Sequence, residues 1–259
     1  MPRQVGPVTV ALVAAIASLL LLAPAATAAR SFYNLPPRPA PHAFGNVLID
    51  RVSTEAGAKP VVFSHWLHRM GYTCSVCHTE LEFDMAAGST EITMEAIRQG
   101  RFCGACHDGK NAFAPEGNCA RCHDTNPDSR AELFEAVFNS RPFPTAPFGN
   151  GVDWVKALRR GLIEPAPYLN VKIEEMPFDR ELLLQAEMGN IPPAVLPHKA
   201  HSEWMDCDTC HPAIFNIKAK TTKHFRMALI LKGQFCGACH LNVAFPMDDC
   251  ARCHPGIQE

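Results

Sequence analysis

The apolar residues nearest the N-terminus form a continuous run rather than a periodic pattern. Residues 8–22 are almost wholly apolar, Arg3 precedes them, and small residues follow at 26–28. A basic start, an apolar run of this length and an A-x-A-like site are typical of a secretory signal peptide. We expect residues 1–29 to be removed on export. An uncleaved membrane anchor is the alternative, but the small-residue site and the prolines after it favour cleavage.

The clearest helical patterns lie between residues 125 and 194, a region without cysteine or histidine. Three segments begin at a residue that caps helices and continue with apolar residues at helical spacing. They are 128–138, capped by Asp128 or Ser129; 153–161, capped by Asp153; and 179–188, capped by Asp179 and stopped by Gly189. The pattern predicts a helical bridge, 125–194. Residues 30–60, with a Pro-rich stretch at 35–42, are predicted to be an extended lead-in.

Six boxes of the form C-x-x-C-H use every cysteine in the chain. This is the attachment signature of c-type haem, because two thiols must reach two vinyl groups on one porphyrin edge and the next histidine then lies over the iron. The predicted attachment residues are Cys74, Cys77, Cys103, Cys106, Cys119, Cys122, Cys207, Cys210, Cys236, Cys239, Cys250 and Cys253. The predicted proximal iron ligands are His78, His107, His123, His211, His240 and His254. The sequence therefore predicts six covalently bound haem c groups.

Other chemistries that use paired cysteines fit this pattern less well. Zinc ribbons close one site with two cysteine pairs and need no trailing histidine. A thioredoxin-like pair occurs once, beside a βαβ pattern. A disulfide framework does not require constant two-residue gaps, so haem attachment remains the interpretation that explains all six boxes.

The boxes repeat in two halves of the chain. His78 and His211 stand 133 positions apart, and the last boxes, at His123 and His254, stand 131 apart. Phe-Cys-Gly-Ala-Cys-His occurs once in each half, and so does Cys-Ala-Arg-Cys-His. The repeat predicts two modules of three haems each. Module 1 spans 61–124 and module 2 spans 195–259.

Each module has only about 60 residues for three haems, which is too little chain for a conventional core. The sequence therefore predicts a mostly α-helical or irregular fold with little regular secondary structure. In this fold the haems form the core of each module, with short helices and loops around them.

Two pairs of histidines outside the boxes are candidate distal ligands. His65 and His68 precede the first box of module 1, and His198 and His201 keep the same spacing in module 2. Residues three apart share one face of a helix, so the members of a pair can reach two different irons.

The third haem of each module needs another distal ligand. Met94 and Met227 occupy the same repeat position, nine residues before the second box, although a buried methionine is often only a packing residue. His224, near Met227, and His42, in the lead-in, are the alternatives.

The histidine pair followed by C-x-x-C-H resembles the triheme cytochrome c7 family, a relative of tetrahaem cytochrome c3. The context of the second box, from Met94 to Phe113, is similar to c7-type domains found singly or in tandem. Module 2 departs from it by lacking the Gly-Lys after this box. The resemblance implies the following axial pairs: His65 with His78, His68 with His107, His198 with His211, His201 with His240, His123 with Met94, and His254 with Met227. Methionine ligation would raise the potential of each third haem.

Six distal ligands for six haems leave no iron open, which favours electron transfer over catalysis. We expect a non-enzymatic, exported hexahaem cytochrome in the periplasm or at the extracellular surface. Its partners would be other redox proteins, such as cytochromes and membrane electron-transfer complexes. The alternatives are a multihaem oxidoreductase with one open haem site and a subunit of an extracellular haem filament.

The charge and the remaining hydropathy pattern restrict the partners further. The formal net charge is −2, and the chain has no basic stripe, so the sequence does not predict nucleic-acid binding. No other apolar run approaches the length of a transmembrane helix, so the chain is expected not to span a membrane after signal cleavage. The sequence leaves the oligomeric state open.

Overall fold

The elements of this fold are short, and they are seen in a computed structural model that describes residues 37–170, 172, 178–218, 220–245, 247 and 249–257. The predicted signal peptide, 1–29, lies outside the described residues. The strands are β1 (Asn46–Ile49), β2 (Val61–Ser64), β3 (Glu181–Leu184) and β4 (Ala194–Pro197). The helices are α1 (Arg51–Glu55), α2 (His65–His68), α3 (Met94–Arg98), α4 (Cys119–Cys122), α5 (Ala131–Asn139), α6 (Trp154–Arg159), α7 (His198–Ser202), α8 (Cys207–Cys210), α9 (Met227–Ile230), α10 (Gly237–His240) and α11 (Cys250–Cys253). A π-helical turn covers Val76–Glu80, and 3₁₀ turns cover Phe102–Ala105 and Pro127–Arg130. The predicted fold class, with little regular secondary structure, is confirmed.

Each module begins with an antiparallel two-stranded sheet that the sequence analysis did not foresee. β1 pairs with β2, with Asn46 opposite Ser64, and β3 pairs with β4, with Glu181 opposite Pro197. The second strand of each sheet leads without a break into the helix that carries the histidine pair. The sheets therefore set the position of those histidines.

Two predictions about local structure are wrong because strand pairing overrides local helix signals. The helix predicted at 179–188 is absent, and β3 lies there instead, paired to β4 across a turn. The lead-in, 30–60, is not simply extended, since its described part contains β1 and α1. In both cases the partner strand lies ten or more residues away along the chain, and neither a capping pattern nor a Pro-rich stretch reveals it.

The other two bridge helices are present. Asp153 caps α6, because its Oδ1 accepts a hydrogen bond from the Lys156 amide at 3.0 Å. The predicted cap at Asp128 or Ser129 is wrong: Asn126 accepts from the Asp128 amide at 3.0 Å and starts a 3₁₀ turn that runs into α5. The extra turn moves the start of the helical segment two residues earlier.

The main apolar cluster is built by the bridge between the two modules. Trp66 comes from α2 of module 1 and Trp204 follows α7 of module 2, and both are buried. The other buried members come from the bridge: Phe134, Val152, Trp154, Ala157 and Ile163. The bridge is therefore a packed element, as predicted, and it joins both modules to one core.

Module 1 and module 2 also touch directly. Thr79, just after the first box of module 1, lies 2.9 Å from Thr209 Oγ1 and donates to Asp206 Oδ1 at 3.0 Å. The Cys74 amide donates to the carbonyl of Trp204 at 2.9 Å. We call this set of hydrogen bonds the inter-module contact. It places the first boxes of the two modules against each other.

Candidate haem sites

The first histidine of each upstream pair is oriented by the strand that pairs beside it. His65 Nδ1 donates to the carbonyl of Gly45 at 3.0 Å, and His198 Nδ1 donates to that of Arg180 at 2.8 Å. Gly45 and Arg180 immediately precede β1 and β3. The hairpins therefore fix these rings with Nε2 facing away from the sheet backbone.

The second histidine of each pair is held by its own helix. His68 Nδ1 donates to the carbonyl of Ser64 at 2.9 Å, and His201 Nδ1 donates to that of Pro197 at 2.9 Å. In both modules the acceptor is the residue before the helix. The short helix thus fixes both members of the pair.

The box histidines are also oriented by hydrogen bonds from Nδ1 to backbone carbonyls, and these carbonyls lie outside the box. His78 Nδ1 donates to Phe83 at 2.8 Å, and His211 Nδ1 donates to Phe215 at 2.7 Å. The ring of His107 donates to Phe113 at 3.1 Å. Each acceptor lies four to six residues after its histidine, so the loop behind the box orients the ring.

The last box of each module is tied to the chain segment just before that module. His123 Nδ1 donates to the carbonyl of Lys59, and His254 Nδ1 donates to that of Pro192 at 2.7 Å. Lys59 and Pro192 both stand two residues before a strand that starts a module. In each module, therefore, a hydrogen bond joins the last box to the segment just before the first strand of the module.

Nine of the ten predicted histidine ligands thus use Nδ1 as a donor to a backbone carbonyl. A carbonyl oxygen can only accept, so the proton sits on Nδ1 and the Nε2 lone pair is available. This is the arrangement that metal-binding histidines adopt, since the second nitrogen donates to a fixed acceptor. His240 is the exception, because its buried Nδ1 has no partner in the described part of the chain.

In three of the four predicted bis-histidine pairs the two rings lie close together in the structure. Two imidazole nitrogens that bind one metal ion at about 2 Å each place their ring centroids roughly 6 Å apart. The observed centroid distances are 6.4 Å for His65 and His78, 6.4 Å for His68 and His107, and 6.2 Å for His201 and His240. The spacing therefore fits an iron between the rings.

In the fourth predicted pair, His198 and His211, the described ring contacts are with phenylalanines. The described ring contact of His198 is with Phe178, at 4.8 Å between centroids, and that of His211 is with Phe215, at 6.5 Å. Both rings still have the Nδ1 bonds described above, so each presents a free Nε2.

Burial favours the uncharged form of two ligand rings, those of His65 and His240, and of two box thiols, those of Cys77 and Cys103. Desolvation lowers the pKa of His65 to about 3 and that of His240 to about 4. Desolvation also raises the pKa of Cys77 to about 12 and that of Cys103 to about 11. A neutral imidazole is the form that binds iron, and a neutral thiol is the form that carries the proton needed to saturate a vinyl group.

Two arginines with buried Nε atoms further test whether the residues present fit a haem. Arg69 and Arg130 each have an Nε donor that is buried and without a partner among the described residues. Arg69 lies within electrostatic range of Cys74 and Cys239, and Arg130 within range of Cys122. A buried guanidinium N–H without a partner favours a hydrogen-bond acceptor at that place. Haem propionates are such acceptors, so the orphaned donors next to box thiols fit the group.

For the candidate distal ligands of the third haems, the structure describes no ring or side-chain contact with the corresponding box histidine. Met94 and Met227 are the first residues of α3 and α9, and Met94 is 39% exposed. His42 Nε2 bonds to Asp128 Oδ1 at 2.7 Å, so this nitrogen is engaged by a carboxylate. His224 is exposed, with a left-handed backbone at φ 58°. All four assignments stay predictions.

The alternative uses of cysteine find no support in the described residues. All twelve thiols are free, so the disulfide framework is absent. Within the described ranges no group of three or more His, Cys, Asp or Glu side chains could enclose a metal ion, as a zinc ribbon would require. In the same part of the chain no helix is long and apolar enough to cross a membrane.

A family model described as "Cytochrome c7 and related cytochrome c" matches residues 61–124 and 194–255. A solved c7-type three-heme cytochrome domain is 36% identical over 34% of this chain and 94% of that domain, with a TM-score of 0.27. The chain belongs to the cytochrome c7 family. It is therefore a multihaem c-type cytochrome, and c7-type cytochromes are electron-transfer proteins.

Longer c7-type structures match most of the chain. The C-terminal hexaheme fragment of GSU1996 is 25% identical, over 85% of this chain and 98% of the fragment, with a TM-score of 0.27. The N-terminal hexaheme fragment of GSU1996 is also 25% identical, over 82% and 99%, with a TM-score of 0.26. No curated protein matches the chain. The assignment to the c7 family rests on the sequence matches.

The residues that sequence reasoning missed are backbone acceptors. Gly45, Arg180, Lys59 and Pro192 orient ligand rings through their carbonyl oxygens, which no side-chain motif reveals. The available signal was the repeat itself. β2 and β4 keep its offset of 133 residues, whereas β1 and β3 lie 135 residues apart.

Proposed function

We propose that this chain is an exported hexahaem cytochrome that passes electrons between redox proteins without catalysing a reaction of its own. One haem is attached at each of the six boxes. When bound, each haem iron supplies one-electron chemistry by cycling between its ferric and ferrous states. The observation that carries the proposal is the set of nine Nδ1 bonds together with the three ring pairs at 6.2–6.4 Å.

The residues of the chain have three tasks in this proposal. The box thiols would hold the haems covalently, and the paired imidazoles would bind the irons of the first two haems of each module. His65 with His78 and His68 with His107 use two helical residues to hold two adjacent groups. With both ligands bound, such an iron would have no position open to a substrate, and the haem would supply electron exchange only.

The first test uses the holoprotein made in a host that attaches c-type haem. Intact-mass measurement and haem quantification should give six haems per chain. Low-temperature EPR with near-infrared magnetic circular dichroism on the same sample should give only low-spin iron. A high-spin iron that binds a small anion would overturn the closed-ligand proposal and favour a reductase.

Export is the second part of the proposal. The pattern at residues 1–29 supports it, because covalent haem attachment in bacteria takes place outside the cytoplasmic membrane. N-terminal sequencing of the mature protein should show loss of this segment, and fractionation should find it in the periplasm or at the cell surface. Retention of residues 1–29 would contradict signal cleavage.

A further inference from the structure

The loops that follow the first boxes, 79–93 and 212–226, have the same framework in both modules. Each is fixed at its start by the box histidine, which donates to Phe83 in module 1 and to Phe215 in module 2. The next amide is fixed too: Asp84 donates to Thr90 Oγ1 at 2.8 Å, and Asn216 donates to Thr222 Oγ1 at 3.0 Å. The two loops therefore present corresponding surfaces beside the first haem site of each module.

These corresponding surfaces carry opposite charge. The loop of module 1 has four acidic residues and no Lys or Arg, and the loop of module 2 has four basic residues and no Asp or Glu. The acidic residues are Glu80, Glu82, Asp84 and Glu91. The basic residues are Lys218, Lys220, Lys223 and Arg226. We call 212–226 the basic loop.

The lysines of the basic loop are directed to solvent. Lys218, Lys220 and Lys223 are exposed, and no ion pair engages them among the described residues. Arg226 has a weak contact with Glu187 at 3.5 Å. In the loop of module 1, 79–93, which we call the acidic loop, a charged group is engaged: the Glu80 carboxylate accepts a hydrogen bond from the Leu169 amide. The positive charges of module 2 are thus available for a partner.

An apolar side chain stands among these charges. Ile217 is 81% exposed, the highest value among the exposed large apolar residues of the described chain. A single exposed isoleucine is ordinary by itself. Here it adjoins Lys218 on a loop held to the ring of His211, so an exposed apolar side chain stands beside the positive charges. That is the anatomy of a protein–protein docking surface.

We propose that the basic loop docks an acidic redox protein and brings it next to the first haem site of module 2. This inference rests on the proposed electron-transfer function. Complementary charge steers association and raises the rate of encounter, most strongly at low ionic strength. The acidic loop repels the same partner from the corresponding face of module 1, so the partner approaches one end of the chain.

The experiment uses the holoprotein and reduced flavodoxin, an acidic one-electron carrier, in stopped-flow mixing at several ionic strengths. The test variant is K218E/K220E/K223E. The control is K110E/R160E/K172E, which makes the same change in net charge at exposed positions outside the basic loop. At low salt the test variant should react at least about tenfold more slowly than the control, and the two should converge at high salt. I217S should slow the reaction at every ionic strength.

Small reagents of opposite charge separate steering from changes at the haems. Oxidation by ferricyanide should slow in the test variant more than in the control, and oxidation by hexaammineruthenium(III) should not. Equal rates for test and control variants, with six haems and unchanged midpoint potentials in both, would overturn the docking proposal and leave the proposed function intact. A wild-type holoprotein that exchanges electrons with none of the reagents would overturn the proposed function itself. If the triple variant loses haem, K218E, K220E and K223E are compared singly.

Discussion

The Nδ1–H group of His107 donates a hydrogen bond to the carbonyl oxygen of Phe113 at 3.1 Å, and the two rings lie 4.4 Å apart. In module 2 the corresponding rings, those of His240 and Phe245, keep their contact at 4.3 Å. The hydrogen bond is missing, since Nδ1 of His240 has no partner among the described residues. Five positions separate this second pair and six separate the first, so a one-residue deletion accompanies the lost acceptor.

We predict that the haem held by His240 has a higher midpoint potential than the haem held by His107. A bond from Nδ1–H to a carbonyl makes the imidazole more basic and so stabilises ferric iron. NMR-monitored redox titration of the assigned haem signals measures both potentials. Inserting one glycine after Asn242 should lower the potential of the His240 haem, whereas equal potentials in the wild type would contradict the argument.

Gly104, in the second box of module 1, has no room for a side chain. A Cβ there would lie 1.9 Å from the carbonyl oxygen of Ile97, and one at Gly237 would lie 1.9 Å from that of Ile230. These carbonyl oxygens lie in the last turns of the short helices α3 and α9. They cannot move without moving the helix backbone. We expect G104A and G237A each to destabilise the holoprotein by at least about 3 kcal/mol or to prevent haem attachment at that box. Thermal unfolding and intact mass measure this effect.

The control for the glycine variants is G71A, because a Cβ at Gly71 would meet the His68 carbonyl at an ordinary 3.8 Å. It should keep six haems and shift the free energy of unfolding by less than about 1 kcal/mol. A full haem complement and unchanged stability in G104A would show that the turn between Ile97 and the box adjusts freely.

The inter-module contact predicts a coupling between residues in different modules. T79V and T209V each remove a hydroxyl from the hydrogen bonds around Asp206, and each should cost about 1 kcal/mol. The double variant should cost less than the two together, because both hydroxyls donate to the same carboxylate oxygen of Asp206. Chemical unfolding of the holoprotein measures the three values. T90V, which removes a bond inside module 1, is the control and should add independently to T209V.

The distal ligands of the third haems can be tested one at a time. If Met94 and Met227 bind iron, M94A and M227A should each remove one contribution to the Met-to-iron charge-transfer band in near-infrared magnetic circular dichroism. M94H should keep the iron low-spin and lower its potential, since histidine replaces a thioether. M188A, at a methionine that is 57% exposed, should leave the band unchanged. A wild-type protein without the band would exclude Met94 and Met227 and favour His224 and His42.

The sequence predicted those features whose chemistry lies in side chains at fixed spacing. The boxes, the helical histidine pairs and the cap at Asp153 need only local spacing to be recognised. β3 was taken for a helix because Asp179 is a plausible cap, whereas the segment actually pairs with β4. β1 was not predicted in the lead-in, because its partner β2 lies farther along the chain. Backbone carbonyls and strand partners have no local signature, so these parts of the sites appeared only in the structure.

The bonds from His123 to Lys59 and from His254 to Pro192 join the last box of each module to the segment before its first strand. A gene segment that encodes such a module carries both ends of the closure with it. If the segment also includes the strand pair before the module, it can be duplicated with the backbone acceptors of its first and last histidines. A chain of this kind can therefore lengthen during evolution by whole units of three boxes, each of which keeps its own closing bond.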